Sequence, residues 1–269
     1  MGYETIKVET GGGVGIISLS RPERMNAVIE EMYVEIRGAL DEARGNGEVR
    51  ALILTGSSFM KGGVEKQAFC AGADLKKHAA GERTAAQKRA YILLAHDTTR
   101  MIHEFEKPVI AAINGPARGA GTEMAVSCDF IFMAEEATLA FPETGLGTFV
   151  GGGVTRHLPA IVGMARAKEL VSSGRVVDGR EAEKIGLALR CFPLARLMDE
   201  AKAFAEALAE KAPLSMRLAK KRLQQPAALD LETVLHLEAE AILSCMDTGD
   251  WHEGVRAFNE KRKPVYRGE

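Results

Sequence analysis

The segment Pro108–Asp129 constrains the fold of this chain more than any other. It opens with the apolar run Pro-Val-Ile-Ala-Ala-Ile, which is typical of a strand buried on both faces. Gly115, Gly119 and Gly121 follow, so the pattern predicts a turn of small residues and then a helix from about Gly121. The first amides of a helix have no partner inside it, so such a turn can bind a phosphate or a carbonyl oxygen that gains negative charge.

The order of the remaining segments predicts an α/β protein. Strand-like and helix-like segments alternate up to about residue 160, and helix-like segments follow one another after it. We therefore expect a core over residues 1–195 and a C-terminal helical layer over residues 196–269. Within the core, Asn26 is predicted to cap a helix that reaches Arg44, and residues 57–67 are predicted to form a loop because they show no steady periodicity.

Composition excludes several classes of function. The formal net charge is −2, so no broad basic field favours nucleic acid or an anionic membrane. The four cysteines form no CxxC pair and the six histidines form no ligand pattern, so no metal is expected. No apolar run is long enough to span a bilayer, and the N-terminus lacks a basic patch followed by an apolar stretch. We therefore expect a cytoplasmic protein that binds neither nucleic acid nor membrane.

Two glutamates are candidates for acid–base chemistry. Glu123 falls in the first turn of the helix predicted after Gly121, and Glu143 lies in the turn Pro-Glu-Thr-Gly. Taken alone, each signal is weak, because a single glutamate is usually solvated and a single glycine-rich turn is usually only a turn. A carboxyl group near a site for a negatively charged oxygen can nevertheless give or take a proton there.

Taken together and in order, the motifs resemble the enoyl-CoA hydratase/isomerase (crotonase) superfamily. The matching segments are Arg21-Pro22, Asn26-Ala27, Cys70-Ala71-Gly72-Ala73-Asp74, Asn114–Glu123, Cys128-Asp129, Pro142-Glu143 and Phe258–Pro264. The resemblance spans nearly the whole chain. It implies a crotonase-like spiral of repeated ββα units with a C-terminal helical layer that builds homotrimers, often paired into homohexamers.

The resemblance also implies how a substrate would be bound. The backbone N–H groups of Ala73 and Ala120 would form an oxyanion hole for a thioester carbonyl. Coenzyme A would arrive as part of an acyl-CoA substrate, so no separate cofactor is expected. The residues expected to contact coenzyme A or the substrate are Arg24, Ala27, Ala71, Asp74, Leu75, Lys76, Gly121 and Lys261, the last of them on its own or a neighbouring subunit.

The pair Glu123 and Glu143 matches the hydratase pattern within this superfamily. The sequence therefore predicts a hydro-lyase that adds water to a 2-enoyl-CoA. Double-bond isomerisation and acyl-CoA hydrolysis stay open as alternatives, as does a non-catalytic member that binds acyl-CoA or RNA. The nature of the acyl group, whether straight, branched or alicyclic, also stays open.

Several residues depart from the family pattern or have a second interpretation. Ala120 stands where a glycine is common, which requires a negative φ at that position. The segment 57–67 is longer than the corresponding segment of typical family members. The second interpretation of Asp74 is a cap of the following helix, and that of Lys261 is a solvated helix end. Cys70 lies beside the implied site, but no histidine is paired with it by sequence pattern, so we do not expect a nucleophile.

Overall fold

The computed structural model describes residues 2–79, 81, 83–225 and 228–269, without the side chains of residues 61, 78 and 79. Its strands are β1 (Ile6–Gly11), β2 (Val14–Leu19), β3 (Ala51–Gly56), β4 (Phe59–Lys61), β5 (Val64–Lys66), β6 (Val109–Ile113), β7 (Ala117–Arg118), β8 (Phe130–Ala134), β9 (Thr138–Ala140), β10 (Val177–Asp178) and β11 (Arg190–Phe192). Its helices are α1 (Glu30–Gly45), α2 (Leu75–Ala79), α3 (Ala85–His103), α4 (Ala120–Val126), α5 (Val154–Val162), α6 (Met164–Ser173), α7 (Gly179–Lys184), α8 (Leu194–Ala209), α9 (Pro213–Leu223), α10 (Leu231–Met246) and α11 (Gly249–Glu260).

A six-stranded sheet in the order β1-β2-β3-β6-β8-β11 forms the centre of the core. Only the β1–β2 pair is antiparallel, and the other four pairings are parallel. β3 and β6 are apolar and buried along their whole length, as strands covered on both faces must be. The α/β class predicted from the sequence is therefore confirmed.

A second, three-stranded sheet in the order β10-β9-β7 turns the chain toward the site. β7 pairs in parallel with β9, and Cys70 forms an isolated parallel bridge with Ala117 in β7. A further parallel bridge joins Val28 to Ala73. The segment around residues 70–73 therefore lies between the loop before α1 and the strand that leads into α4.

The prediction that Asn26 caps a helix is wrong. α1 begins at Glu30 after an N-cap residue, Ile29, whose side chain makes no capping bond. Asn26 is instead fully buried with a φ of 57°, a conformation that asparagine tolerates better than most residues. Its Oδ1 accepts from the Arg21 N–H at 3.0 Å, and its Nδ2 donates to the carbonyls of Ser57 (3.0 Å) and Ala68 (2.8 Å). Asn26 thus joins three separate loops.

The prediction of a loop over residues 57–67 is also wrong. β4 and β5 form an antiparallel hairpin whose turn is Gly62-Gly63, with φ values of 61° and 76°. Two central residues with positive φ match the twist of a two-residue hairpin turn, and glycine adopts that conformation without steric cost. Residues 57–67 show neither helical periodicity nor a long strand pattern. The Gly-Gly pair between two short segments that contain apolar residues is the signal that indicates a hairpin.

A largely buried ion pair links the C-terminal region to the core. Lys220 on α9 lies 2.7 Å from the Asp129 carboxylate, which also accepts from the Val109 N–H at 2.8 Å. Helix α8 packs on β3, β6 and β8, although the predicted division at residues 195/196 groups it with the C-terminal layer. Among the described helices, none is both long and apolar enough to cross a bilayer.

We predict that Asn26→Ala destabilises the fold substantially. The change removes both donors and the acceptor of a buried amide and leaves three backbone groups unpaired, so we expect a loss of about 2–4 kcal/mol of unfolding free energy. Urea unfolding followed by circular dichroism measures this. Asn259→Ala, on the exposed face of α11, is the matched control and should shift the midpoint little. Equal midpoints for the two variants would contradict the role given to Asn26.

Candidate active site

The start of α4 lies against the segment around Gly72, which connects the β4–β5 hairpin to α2. Gly119, the N-cap residue of α4, has a φ of 48° and a ψ of −119°. Gly72, with a φ of 90°, lies directly against this turn: a Cβ at Gly72 would stand 2.8 Å from the Arg118 carbonyl oxygen and 3.8 Å from the Ala120 nitrogen. The absence of a side chain at residue 72 therefore lets the two backbones come together.

Two backbone N–H groups are left unpaired where these segments meet. Val28 bonds to the carbonyl of Gly72 (2.8 Å) and the amide of Asp74 (3.0 Å), so the intervening N–H of Ala73 points away from Val28. The Ala120 N–H belongs to the first residue of α4 and has no acceptor inside the helix. Within the described part of the chain neither amide has a hydrogen-bond partner. Both amides remain available as hydrogen-bond donors.

Alanine is compatible with the backbone at residue 120. The described non-glycine residues with positive φ are Met25, Asn26 and Lys261, so Ala120 keeps a negative φ. The unusual conformation falls instead on Gly119, where a Cβ would be strained. The departure from the family's glycine is therefore harmless to the direction of the Ala120 N–H.

Glu123 lies one turn into α4 with only 9% of its surface exposed. Its Oε1 accepts a hydrogen bond from the Gly151 N–H at 2.7 Å. Burial raises the pKa of the Glu123 carboxyl, and the Gly151 hydrogen bond opposes part of that rise. The carboxyl is thus held in a fixed position and binds a proton more tightly than an exposed glutamate does.

Glu143 opens a short 3-10 helix, Glu143–Leu146, on the other side of Gly119. Its side chain is buried, and its Oε2 has no hydrogen-bond partner. A Cβ at Gly119 would lie 2.8 Å from its Oε1, so the carboxyl group contacts the turn that begins α4. Burial raises the pKa of Glu143, and the negative charge of Glu123 raises it further. Both predicted acids are therefore brought to the same turn as the unpaired amides.

Several residues predicted to contact coenzyme A cluster beside this turn. Arg21 donates to the Ala27 carbonyl at 2.6 Å and to the Asp74 carboxylate at 3.2 Å. The Ala71 N–H donates to the Met25 carbonyl at 3.0 Å. Arg24, Leu75 and Lys76 are exposed around this cluster.

Asp74 has its carboxylate oxygens on protein donors. Oδ1 accepts from the Lys77 N–H at 3.2 Å, and Oδ2 is paired with Arg21. Burial alone would raise its pKa, but these hydrogen bonds outweigh burial and lower it. The helix-cap interpretation therefore describes Asp74 in this structure better than an open ligand group does.

Two other predicted contact residues lie differently. Gly121 is buried, and a Cβ there would stand 2.5 Å from the Cys70 carbonyl oxygen, so its place is close packing inside the turn. Lys261 is exposed at the end of α11, which packs on α10, and is not on the elements that form the cluster around Arg24. Burial raises the pKa of the Cys70 thiol to about 12, which leaves it protonated and a poor nucleophile.

Sequence reasoning missed the residues that hold Glu123 from outside α4. Gly151 supplies the hydrogen bond to its Oε1, and the side chain of His96 on α3 comes close to the same carboxyl group. Gly151 belongs to a run of three glycines, which signals a turn but not its target. His96 carries no motif, so only the packing of α3 on α4 shows its position. Among the described residues, no cluster of three or more His, Cys, Asp or Glu could hold a metal ion.

Comparison with known proteins identifies close relatives. The model of the enoyl-CoA hydratase/isomerase family matches residues 9–269. The chain is 37% identical over 255 residues to a putative enoyl-CoA hydratase/isomerase of Bacillus subtilis, with 95% of each chain covered. It is 35% identical over 263 residues to a crotonyl-CoA hydratase of Syntrophomonas wolfei, with 98% of each covered. The crystal structure of an enoyl-CoA hydratase from Bacillus anthracis superposes with a TM-score of 0.92 at 37% identity, covering 99% of this chain and 100% of that one.

We predict that Gly119→Ala displaces the Glu143 carboxyl group. The new methyl would meet Oε1 at 2.8 Å and would require a φ of 48° from alanine, so the carboxyl should move toward solvent and its raised pKa should fall toward the ordinary value. Carbon-13 NMR titration of labelled glutamate carboxyls measures the pKa. Gly145→Ala is the matched control, because a Cβ there meets nothing within 4 Å. An unchanged Glu143 pKa in Gly119→Ala would contradict the contact.

Proposed function

Because this chain belongs to the enoyl-CoA hydratase/isomerase family, we propose that it adds water across the conjugated double bond of a 2-enoyl-CoA thioester to give a 3-hydroxyacyl-CoA. The family and the crotonase fold predicted from the sequence are confirmed by these relatives. The observation that carries the proposed reaction is the pair of buried carboxyl groups, Glu123 and Glu143, at a turn with two unpaired amides.

The amides of Ala73 and Ala120 would bind the thioester oxygen. Attack on the β-carbon moves the electron pair of the double bond toward that oxygen, which becomes an enolate. Donors fixed in advance by the backbone stabilise this charge without reorganising, and one such donor is typically worth about 3–4 kcal/mol. The positive end of the α4 dipole points the same way.

The two glutamates would divide the proton transfers. Glu123, ionised and held by the Gly151 N–H, accepts a proton from the attacking water as its oxygen bonds to the β-carbon. Glu143 is the proposed acid, because burial and the charge of Glu123 raise the pKa of its carboxyl, and it would donate a proton to the α-carbon as the enolate collapses. Isomerisation needs a single acid to move a proton between carbons, so a second buried carboxyl favours hydration over that alternative.

Substrate binding would use the exposed cluster around Arg24, Leu75 and Lys76 for coenzyme A, with Ala27 and Ala71 shaping its floor. No cofactor is needed besides the coenzyme A that the substrate carries. All four cysteines are unpaired, which is typical of a reducing compartment and supports a cytoplasmic location. Lys261 would reach the nucleotide end of coenzyme A on its own or a neighbouring subunit.

Assembly into homotrimers, alone or paired as hexamers, is part of the same proposal. Helix α10 buries none of its residues in the chain, although it is predominantly apolar. Its exposed large side chains are Leu231, Leu235, Ile242, Leu243 and Met246. A single helix with this much exposed apolar surface is typical of a contact between subunits. The C-terminal helices are therefore the proposed interface.

We predict that Glu123→Gln and Glu143→Gln each lower hydration of crotonyl-CoA by about a hundredfold or more, the loss typical of removing an acid–base group. Disappearance of the conjugated-thioester absorbance measures the rate. Glu65→Gln, on the exposed β5 strand, is the matched control and should keep full activity. If the wild type binds coenzyme A but leaves straight, branched and cyclic enoyl thioesters unchanged, the hydratase proposal is wrong, and assays for isomerisation and thioester hydrolysis identify which alternative holds.

We also predict a bell-shaped pH dependence of kcat/KM. The rate should rise as increasing pH ionises Glu123, the base, and fall as further increase ionises Glu143, the acid. Both pKa values are raised by burial, so both limbs should lie above the range of exposed glutamates. In Glu143→Gln the residual activity should lose the high-pH limb alone. A profile that falls only on the acid side in the wild type would remove Glu143 from the role of acid.

A further inference from the structure

A polar cavity of about 460 Å³ lies beside the backbone that packs on Glu123: a Cβ at Gly152, one of its lining residues, would stand 2.8 Å from the Glu123 Cβ. Side chains of α3 and α5 and the backbone of Gly152 and Gly153 line it, together with Gln224. Three of its side chains are imidazoles: His96, His103 and His157. A cavity of this size with many polar groups holds water.

His96 connects this cavity to the Glu123 carboxyl group. The position that a Cβ of Gly151 would occupy is 3.1 Å from His96 Nε2 and 3.2 Å from Glu123 Oε2. The two atoms are therefore no more than 6.3 Å apart, a separation that bridging water can span. Oε1 of Glu123 is already held by the Gly151 N–H, so Oε2 is the oxygen that faces His96 and the one free to carry a proton.

The proposed reaction leaves the protons on the wrong residues. Each hydration transfers one proton from water to Glu123 and one proton from Glu143 to the α-carbon. The enzyme then holds a neutral Glu123 and an ionised Glu143, which is the reverse of the starting state. Before the next turnover Glu123 must lose a proton, and Glu143 must gain one from water that enters with the next substrate.

We propose that His96 removes this proton, passing it from Glu123 Oε2 to the water of the cavity. A bridging water donates a proton to the unprotonated Nε2 and takes the carboxyl proton in exchange, so the carboxyl O–H bond breaks and the imidazole becomes an imidazolium. The imidazolium then releases a proton to a cavity water, and Glu143 takes one from solvent, so no net charge accumulates. This inference rests on the hydratase function proposed above and makes His96 a residue that acts through Glu123.

The remaining groups around the cavity suit this role. The rings of His103 and His157 lie 4.4 Å apart, and burial lowers the pKa of both, to about 4 for His103. Both are therefore neutral near pH 7, and a neutral imidazole can accept one hydrogen bond and donate another. The charged residues that line the cavity are Arg100, Glu104 and Arg156. Arg100 pairs with Asp97, and Arg156 donates to the Gln224 carbonyl.

Steady-state kinetics of His96→Ala and His96→Gln test the relay. His96 is exposed on α3, so both changes keep the helix. In dilute sulfonate buffer we expect kcat to fall by about tenfold or more while kcat/KM stays near the wild-type value, because the proton leaves after the product does. Added imidazole should restore kcat in both variants and leave the wild type unchanged. His252→Ala, exposed on α11, is the matched control.

Four results overturn the relay. An unchanged kcat shows that Glu123 resets without His96, and a raised KM with unchanged kcat shows that His96 binds substrate instead. Full activity in His96→Gln shows that hydrogen bonding alone suffices, and a loss of kcat that imidazole does not restore indicates a purely structural role. A wild type that hydrates no enoyl-CoA refutes the proposed function itself, which the same assay distinguishes from failure of the relay.

Discussion

Close contact between bare backbones is the constraint on which the site depends. The segment 67–72 runs against Gly56, Gly115 and Gly121, and a Cβ on any of the three would stand 2.0–2.6 Å from a backbone carbonyl oxygen of that segment. Side chains at these glycines would separate the segment from β3, from the turn after β6 and from α4. The oxyanion hole proposed for the N–H groups of Ala73 and Ala120 depends on these contacts. These three glycines are therefore required because they have no side chain.

The same close packing produces the electrostatics of the site. Because the turn around Gly119 is built from small residues, the carboxyl groups of Glu123 and Glu143 can be buried beside it with few polar partners. Burial raises the pKa of each, and backbone N–H groups oppose both rises, that of Gly151 for Glu123 and its own for Glu143, while the charge of Glu123 raises the pKa of Glu143 further. The opposite proton-transfer roles proposed for these two glutamates rest on this difference between their neighbours.

The sequence predicted the parts of the site that lie within continuous motifs and failed where contacts are long-range. Glu123 and Glu143 became candidates through the ordered set of motifs that resembles the family, since the local pattern around each is weak alone. Asn26 was misjudged, because an asparagine before a helix looks like a cap whether its amide bonds forward or, as here, to loops at Ser57 and Ala68. His96 could not be found at all, since nothing in α3 records which helix packs on it. The sequence indicated the local chemistry of these residues but not their contacts with distant segments of the chain.

The ion pair between Lys220 and Asp129 makes the core depend on the C-terminal helices. Asp129 holds the Val109 N–H at the start of β6, so a helix outside the sheet neutralises a charge inside it. Deleting the C-terminal helices would leave that carboxylate buried without its cation, at a cost of several kcal/mol. A truncation near residue 212 would therefore remove the cation from a carboxylate that holds the start of β6, the strand whose end leads toward α4.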